Sequence, residues 1–179
     1  EAGTLWIDNT RYRGSLRLVA GGSGALSAIN VVDLNDYVAS VINSEMPGDF
    51  PSAAREAQAV AARTFALYQM KTFGAAADYD LHDGVASQAY AGIVRRDEQG
   101  REWAVEDAGS RAVERSTRDV AMAYHGGVFC TFYSAVCGGH TRNGSDVFEH
   151  AAPPLVDVPC EFCRGAKNHR WQIAADCTA

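Results

Sequence analysis

Residues 33–73 read D-L-N-D-Y-V-A-S-V-I-N-S-E-M-P-G-D-F-P-S-A-A-R-E-A-Q-A-V-A-A-R-T-F-A-L-Y-Q-M-K-T-F. Two helical patterns meet there at a Pro47-Gly48 corner. In the first, Leu34, Val38, Val41 and Glu45 recur at steps of four, three and four, which places them on one helix face. Three are apolar and the fourth is a carboxylic acid. A carboxylate at the end of an apolar stripe loses hydration, and lost hydration favours the protonated acid. Two readings fit: a salt-bridged glutamate at a helix rim, or an acid held for proton transfer. Pro47 ends this helix because it has no N–H to donate. Asp49 and Ser52 offer N-caps for a second helix, and Pro51 suits its first turn. From Ala53 onward, Ala57, Val60, Ala61, Thr64, Leu67 and Tyr68 keep helical spacing. So many alanines let neighbouring elements approach closely. Gln58 and Arg63 are the polar exceptions.

Outward from this pair the pattern changes period. Residues 4–32 alternate as strands, with A-G-G-S-G-A as a turn. That glycine cluster lacks the Gly-Lys-Ser/Thr ending of a phosphate loop, so it reads as a hairpin turn. Residues 79–92 are rich in polar groups (Asp80, His82, Asp83, Ser87, Gln88) and carry Tyr90 near their end. Such a loop suits a hydroxyl-rich ligand as readily as plain solvation. Residues 95–101 read as a charged linker. Trp103–Arg115 reads as a helix with Trp103, Ala104, Ala108 and Ala112 on one side. V-A-M-A-Y and V-F-C-T-F-Y then flank His125 and a Gly126-Gly127 bend, where His125 is exposed or structural. The whole predicts an α+β fold: an N-terminal β-hairpin region, a central helical pair carrying E-M-P, and a second β-rich lobe with a C-terminal Cys/His site. The expectation is one domain over residues 1–179, with two lobes around a cleft.

The 179 residues are 47% hydrophobic, enough for a real core, and carry a net charge of −6. That charge, with no basic stripe or stacking platform, argues against nucleic acid as a partner and against attraction to anionic membranes. No apolar run is long enough to span a bilayer. The chain starts at Glu1 without Met, which reads as a processed or truncated form.

Five cysteines occur, at 130, 137, 160, 163 and 177. Cys137-x-x-His140 and Cys160-x-x-Cys163 are two chelating halves that could close a tetrahedral Cys3His zinc shell. Disulfides are the alternative in an oxidising compartment; spacing and the odd count favour zinc. With four protein ligands such an ion is structural, since a catalytic zinc keeps an open position. A Cys137/His140 nucleophile pair is disfavoured, because such pairs come from separate parts of a chain. Cys130 lies in an alternating strand and reads as core. Cys177 has no assignment.

These stretches together resemble one family. Y-V-A-S-V-I-N-S-E-M-P at 37–47, F-P at 50–51, A-Q-A-V-A-A-R-T-F-A-L at 57–67, Y-D-L-H-D-G-V-A-S-Q-A-Y-A-G at 79–92 and C-G-G-H-T at 137–141 are similar to the SpoIID/LytB (stage II sporulation protein D) family. The resemblance runs from about Asn30 to Trp171. It implies a lytic transglycosylase of bacterial peptidoglycan, with Glu45 as the single acid and base and no cofactor needed for cleavage. It also implies Arg63 in the cleft, with sugar contacts from Ser87, Gln88, Tyr133, Ser134 and Thr141. Tyr133 stands where many relatives carry His. Some relatives hold zinc, which here would pin the Gly-Gly-x-Thr loop to the C-terminal segment through Cys137, His140, Cys160 and Cys163. Two departures stand out: Pro154 replaces an aromatic and Val156 a basic residue. N-H-R-W-Q at 168–172 matches the family's closing strand. The implied partners are glycan strands stripped of stem peptides, in an extracytoplasmic setting behind an N-terminal membrane anchor. A second reading is a non-catalytic glycan-binding module that stimulates a cell-wall amidase.

Overall fold

The computed structural model describes residues 3–22, 24–74, 77–149 and 151–173. In chain order come β1 (Thr4–Ile7), β2 (Thr10–Arg13), β3 (Ser15–Ala20), β4 (Leu26–Val31), α1 (Leu34–Glu45), α2 (Ser52–Thr72), β5 (Val94–Arg96), β6 (Glu102–Ala104), α3 (Ala108–Ser116), β7 (Ala123–Tyr124) and β8 (Gly127–Val128). The fold is α+β. Contacts divide the chain into two compact units, residues 1–131 and 132–179, and each is described by itself.

In the first unit the sheet order is β1-β2-β5-β6, antiparallel throughout, while β3 pairs with β4 as a separate ribbon. The core lies among the helices. Val38, Val41 and Ile42 of α1 are fully buried, as are Ala59, Ala62 and Ala66 of α2, with Val113 of α3 beside them. Burying each of the larger side chains contributes about 1.5–3 kcal/mol. The alanines of α2 keep that distance short, but the buried face is turned from the expected stripe: of that stripe only Thr64 is buried, Val60, Ala61, Leu67 and Tyr68 are half-buried, and Ala57 is exposed. Asp33 caps α1 by accepting the Asn35 N–H. At the start of α2, Pro51 occupies the cap position in place of Asp49 or Ser52, and no side chain caps it.

Local chemistry overrides the sequence expectation in several places. The charged stretch 95–101 is a hairpin between β5 and β6. Its turn closes on Asp97, whose carboxylate accepts the N–H groups of Arg101 and Gln99 and the Arg101 guanidinium. Those donors, the Arg101 N–H first, hold its carboxyl below the usual carboxylate range. Trp103 and Ala104 pair with Arg95 and Val94 as strand. The helix expected from 103 therefore starts only after Asp107, which forms a capping box with Ser110. In the β7–β8 hairpin the bend is His125-Gly126, both at positive φ (48° and 77°), one residue earlier than the Gly-Gly pair suggests.

The second unit holds less strand than expected. Among its described residues are two short 3-10 turns, at Gly144–Asp146 and Phe162–Gly165, and an isolated bridge between His140 and Pro159. Gly138 and Gly139 turn the chain at φ of 70° and 103°. Pro153, Pro154 and Pro159 have no N–H to give a ladder.

Gly92 tests the packing of the first unit. It sits at φ 68°, and a Cβ there would meet the Arg11 carbonyl oxygen of β2 at 2.5 Å. Gly92→Ala should lower stability by about 2 kcal/mol or more, read as a lower urea midpoint at unchanged slope.

Candidate active site and candidate metal centre

Residues 87–92 run along α1 as a strap. Tyr37 donates its hydroxyl to Gln88 Oε1 at 2.9 Å, and Ser40 donates to the Gly92 carbonyl at 2.5 Å. Glu45, the last residue of α1, accepts the Ala89 N–H on Oε1 at 2.6 Å. Tyr90 locks the strap from its other side. Its ring packs on Tyr37 and Tyr12, its N–H reaches the Asp83 carbonyl, and its hydroxyl donates to Asn30. Burial pushes the Tyr90 phenol well above its ordinary range. Glu45 is thus half-buried at the tip of an apolar face, with one carboxylate oxygen fixed by a main-chain donor.

A groove of about 530 Å³ opens beside this point. Its walls include Asn43 and Ser44 at the end of α1, residues 83–85, Ala89–Ala91, Arg95, Trp103 and Asp107. Glu45 does not line it. Ser44 before it and Ala89, its hydrogen-bond partner, do. Arg95 and Trp103 are cross-strand partners on β5 and β6, and Trp103 is 49% exposed. Asn43 is held on both sides, donating to the Val105 carbonyl and accepting from Arg55. Asp107 is engaged by its cap, and the Ser110 N–H holds its carboxyl low.

The expected substrate contacts are spread unevenly. Gln88 is buried in the strap, and Ser87 accepts the His82 N–H at 3.1 Å. Arg63 is only 2% exposed. It donates to the Thr117 and Val120 carbonyls at 2.8 and 3.3 Å and lies 3.9 Å from Glu114, which is fully buried and held in a fork by Arg118. These contacts tie α2 to the end of α3, and a 3.5 Å bond to Asn35 reaches the start of α1. Burial lowers its pKa, partly offset by Glu114. In the second unit Tyr133 and Ser134 are exposed. Thr141 is built into the backbone pairing, donating to the Val156 carbonyl and accepting the Val158 N–H.

The second unit gathers three of the five cysteines. The Sγ atoms of Cys137, Cys160 and Cys163 all lie within 4.8 Å of one another, with Cys137 and Cys163 at 3.5 Å. All three are free thiols, since a disulfide needs about 2.05 Å. The Gly139 N–H, then the neighbouring thiols, lowers the Cys137 thiol from its ordinary value. Cys160 receives the Phe162 N–H, yet adjacent Cys137 and lost hydration push it up overall. Three thiolates at this range repel one another unless a cation sits among them, and three soft sulfur donors suit zinc. His140, expected as the fourth ligand, is not in this group; its Nδ1 lies 2.8 Å from Asp157 and 3.1 Å from the Thr141 carbonyl. Cys130 is buried in the first unit, and burial raises its thiol to about 11. Cys177 lies outside the described residues.

A family profile described as SpoIID, stage II sporulation protein, matches residues 22–124, more than half of the chain. The chain belongs to the SpoIID family. An uncharacterized protein of Brachyspira hyodysenteriae is 34% identical over 168 residues, which is 94% of this chain and 42% of that protein. The amidase enhancer of Bacillus subtilis is 29% identical over 116 residues, covering 65% of this chain and 14% of the enhancer. The chain thus spans less than half of either relative. The SpoIID segment contains Glu45, the strap and the whole groove lining, and it ends before the cysteine cluster.

Sequence reasoning did not single out Asn43, Trp103, the Ala89 N–H or His169. Of these only Trp103 leaves a trace, an aromatic residue in a charged stretch. Arg63 offers a direct check on its observed role. Arg63→Met should cost about 3–5 kcal/mol, because Glu114 loses a buried partner and two carbonyls lose their donor. Chemical denaturation followed by circular dichroism reads this without any substrate.

Proposed function

We propose that this SpoIID chain cleaves bacterial cell-wall glycan strands as a lytic transglycosylase, with Glu45 as acid and base. One observation carries the reading: the only carboxylate on the apolar face of α1 is fixed by the Ala89 N–H at the edge of a groove with an exposed tryptophan. An indole face and a surround of Asn43, Asp83 and Arg95 suit a pyranose and its hydroxyls.

The chemistry needs one protein carboxyl. Protonated Glu45 gives its proton to the glycosidic oxygen as the C1–O bond breaks. The muramic acid 6-hydroxyl attacks C1, and its proton passes to the Glu45 carboxylate. The product end is a 1,6-anhydro sugar, and the acid is restored. A hydrolase would add water and use a second carboxylate. Asp107 and Asp83 both line the groove; the Asp107 carboxylate is committed to the α3 cap, and the lytic reading assigns Asp83 to sugar hydroxyls.

Ser87, Gln88, Tyr133, Ser134 and Thr141 remain proposed sugar contacts, and Arg63 a proposed support for the cleft. Tyr133 and Ser134 have the exposure such contacts need. The substrate class places the chain outside the cytoplasm, and glycan free of stem peptides is the preferred form. Zinc at the cysteine cluster would be structural: Cys137, Cys160 and Cys163 would hold it, and it would supply cross-linking of the second unit and no step of cleavage.

A second reading has its own support. The Bacillus subtilis relative is named an amidase enhancer, so this chain would bind glycan and stimulate a cell-wall amidase without cutting.

Glu45→Gln separates the two. Anhydro ends, measured by mass spectrometry after digesting purified glycan strands, should fall by at least about a hundredfold with the melting temperature kept. Anhydro products from Glu45→Gln at the wild-type rate would remove the catalytic assignment. Amidase stimulation that survives in this variant would favour the second reading. Trp103→Ala should weaken glycan-strand binding about tenfold, a loss of some 1.4 kcal/mol, measured by calorimetry with Glu45→Gln as the background.

A further inference from the structure

The cysteine cluster supplies three of the four donors a structural zinc takes. Two histidines of the second unit compete for the fourth place. His140 follows Cys137 at the spacing of a chelating pair, but the Gly138-Gly139 turn carries it onto the bridge with Pro159. Its Nδ1 is already satisfied by the Asp157 carboxylate and the Thr141 carbonyl, which leaves only Nε2 for a metal, and His140 is not within the 4.8 Å range that groups the three sulfurs. Its side chain is half exposed.

His169 presents the opposite picture. Its Nδ1 is buried with no hydrogen-bond partner. A buried polar atom left unpaired is costly, and each such atom in a folded protein calls for an explanation. Its ring lies against Gly139, with Cε1, the atom bonded to Nδ1, 3.5 Å from where a Gly139 Cβ would stand. Gly139 joins the two cysteine turns: its N–H backs the Cys137 thiol, and its carbonyl accepts the Cys160 N–H at 2.9 Å. The chain reaches this place by a short route. After the Phe162–Gly165 turn, the His169 N–H bonds the Ala166 carbonyl at 3.0 Å. The orphaned nitrogen therefore belongs to a ring packed on the glycine that joins the two cysteine turns, outside the 4.8 Å range that groups the three sulfurs, so that zinc binding would draw the ring inward.

We infer that His169 through Nδ1, and not His140, completes a Cys3His zinc site with Cys137, Cys160 and Cys163. The inference rests on the zinc reading of the cysteine cluster. His140 is left as the outer partner of Asp157, closing the loop from Cys137 to Pro159.

The test uses the 179-residue chain and zinc alone. Zinc stoichiometry and affinity are measured by competition with a chromophoric chelator, and the cobalt(II) form is followed by its thiolate charge-transfer and d–d bands. The wild type should bind one zinc, with a tetrahedral cobalt spectrum. His169→Ala should lose at least about tenfold in zinc affinity, the floor known for changes just outside a metal's ligands. His140→Ala and Cys177→Ser should stay within about twofold of the wild type, a spread well below that floor. Loss of affinity could also follow from misfolding, so His169→Cys supplies the control. It should restore tight binding and shift the cobalt charge-transfer bands toward a four-sulfur site, with X-ray absorption counting four sulfurs where the wild type shows three and one nitrogen. Wild-type affinity in His169→Ala, or loss in His140→Ala or Cys177→Ser alone, overturns the assignment of His169. A wild-type chain that binds no zinc overturns the cluster reading itself.

Discussion

The helix α1 is bonded to the strap at 87–92 by three side chains of different chemistry: a phenol, a hydroxyl and a carboxylate. Each meets a different acceptor or donor, so only one register satisfies all three. A slip of one residue would leave buried polar groups without partners, at about 1–3 kcal/mol each. That register fixes Tyr90, whose ring closes the core against Tyr12 and Tyr37. It also brings the β5–β6 hairpin, which follows directly, to the end of α1. The groove is a product of this alignment, since its walls come from α1, the strap and that hairpin.

How much of this was readable beforehand depends on the range of the interaction. The two helices and the corner between them follow from local periodicity and proline chemistry, and they appear as expected. The strap appears in sequence as a polar loop. Its polar residues look solvated because their partners are as many as 60 positions away. Trp103 and Ala104 fit a helical pattern equally well until Asp107 offers a better starting cap and β5 offers a ladder. Arg63 stands out as a charge within an alanine-rich helix, and periodicity cannot say whether such a charge faces a ligand or backbone carbonyls. The structure spends it on carbonyls.

The second unit shows the same division. Two C-x-x-C/H halves are legible from spacing, and the three cysteines do converge. Which histidine would complete the proposed zinc site depends on where two consecutive glycines at positive φ send the chain. Sequence proximity points to His140, and the buried nitrogen left without a partner points to His169.

The bond that holds Glu45 has a genetic consequence. Its donor at position 89 is main chain, so the side chain there contributes nothing to it. Codon changes at that site can drift through most residue types and leave the anchor in place. Proline alone among the standard residues would erase it. An alignment scored for identity would pass over the position, although it steadies the acid assigned to the proposed cleavage.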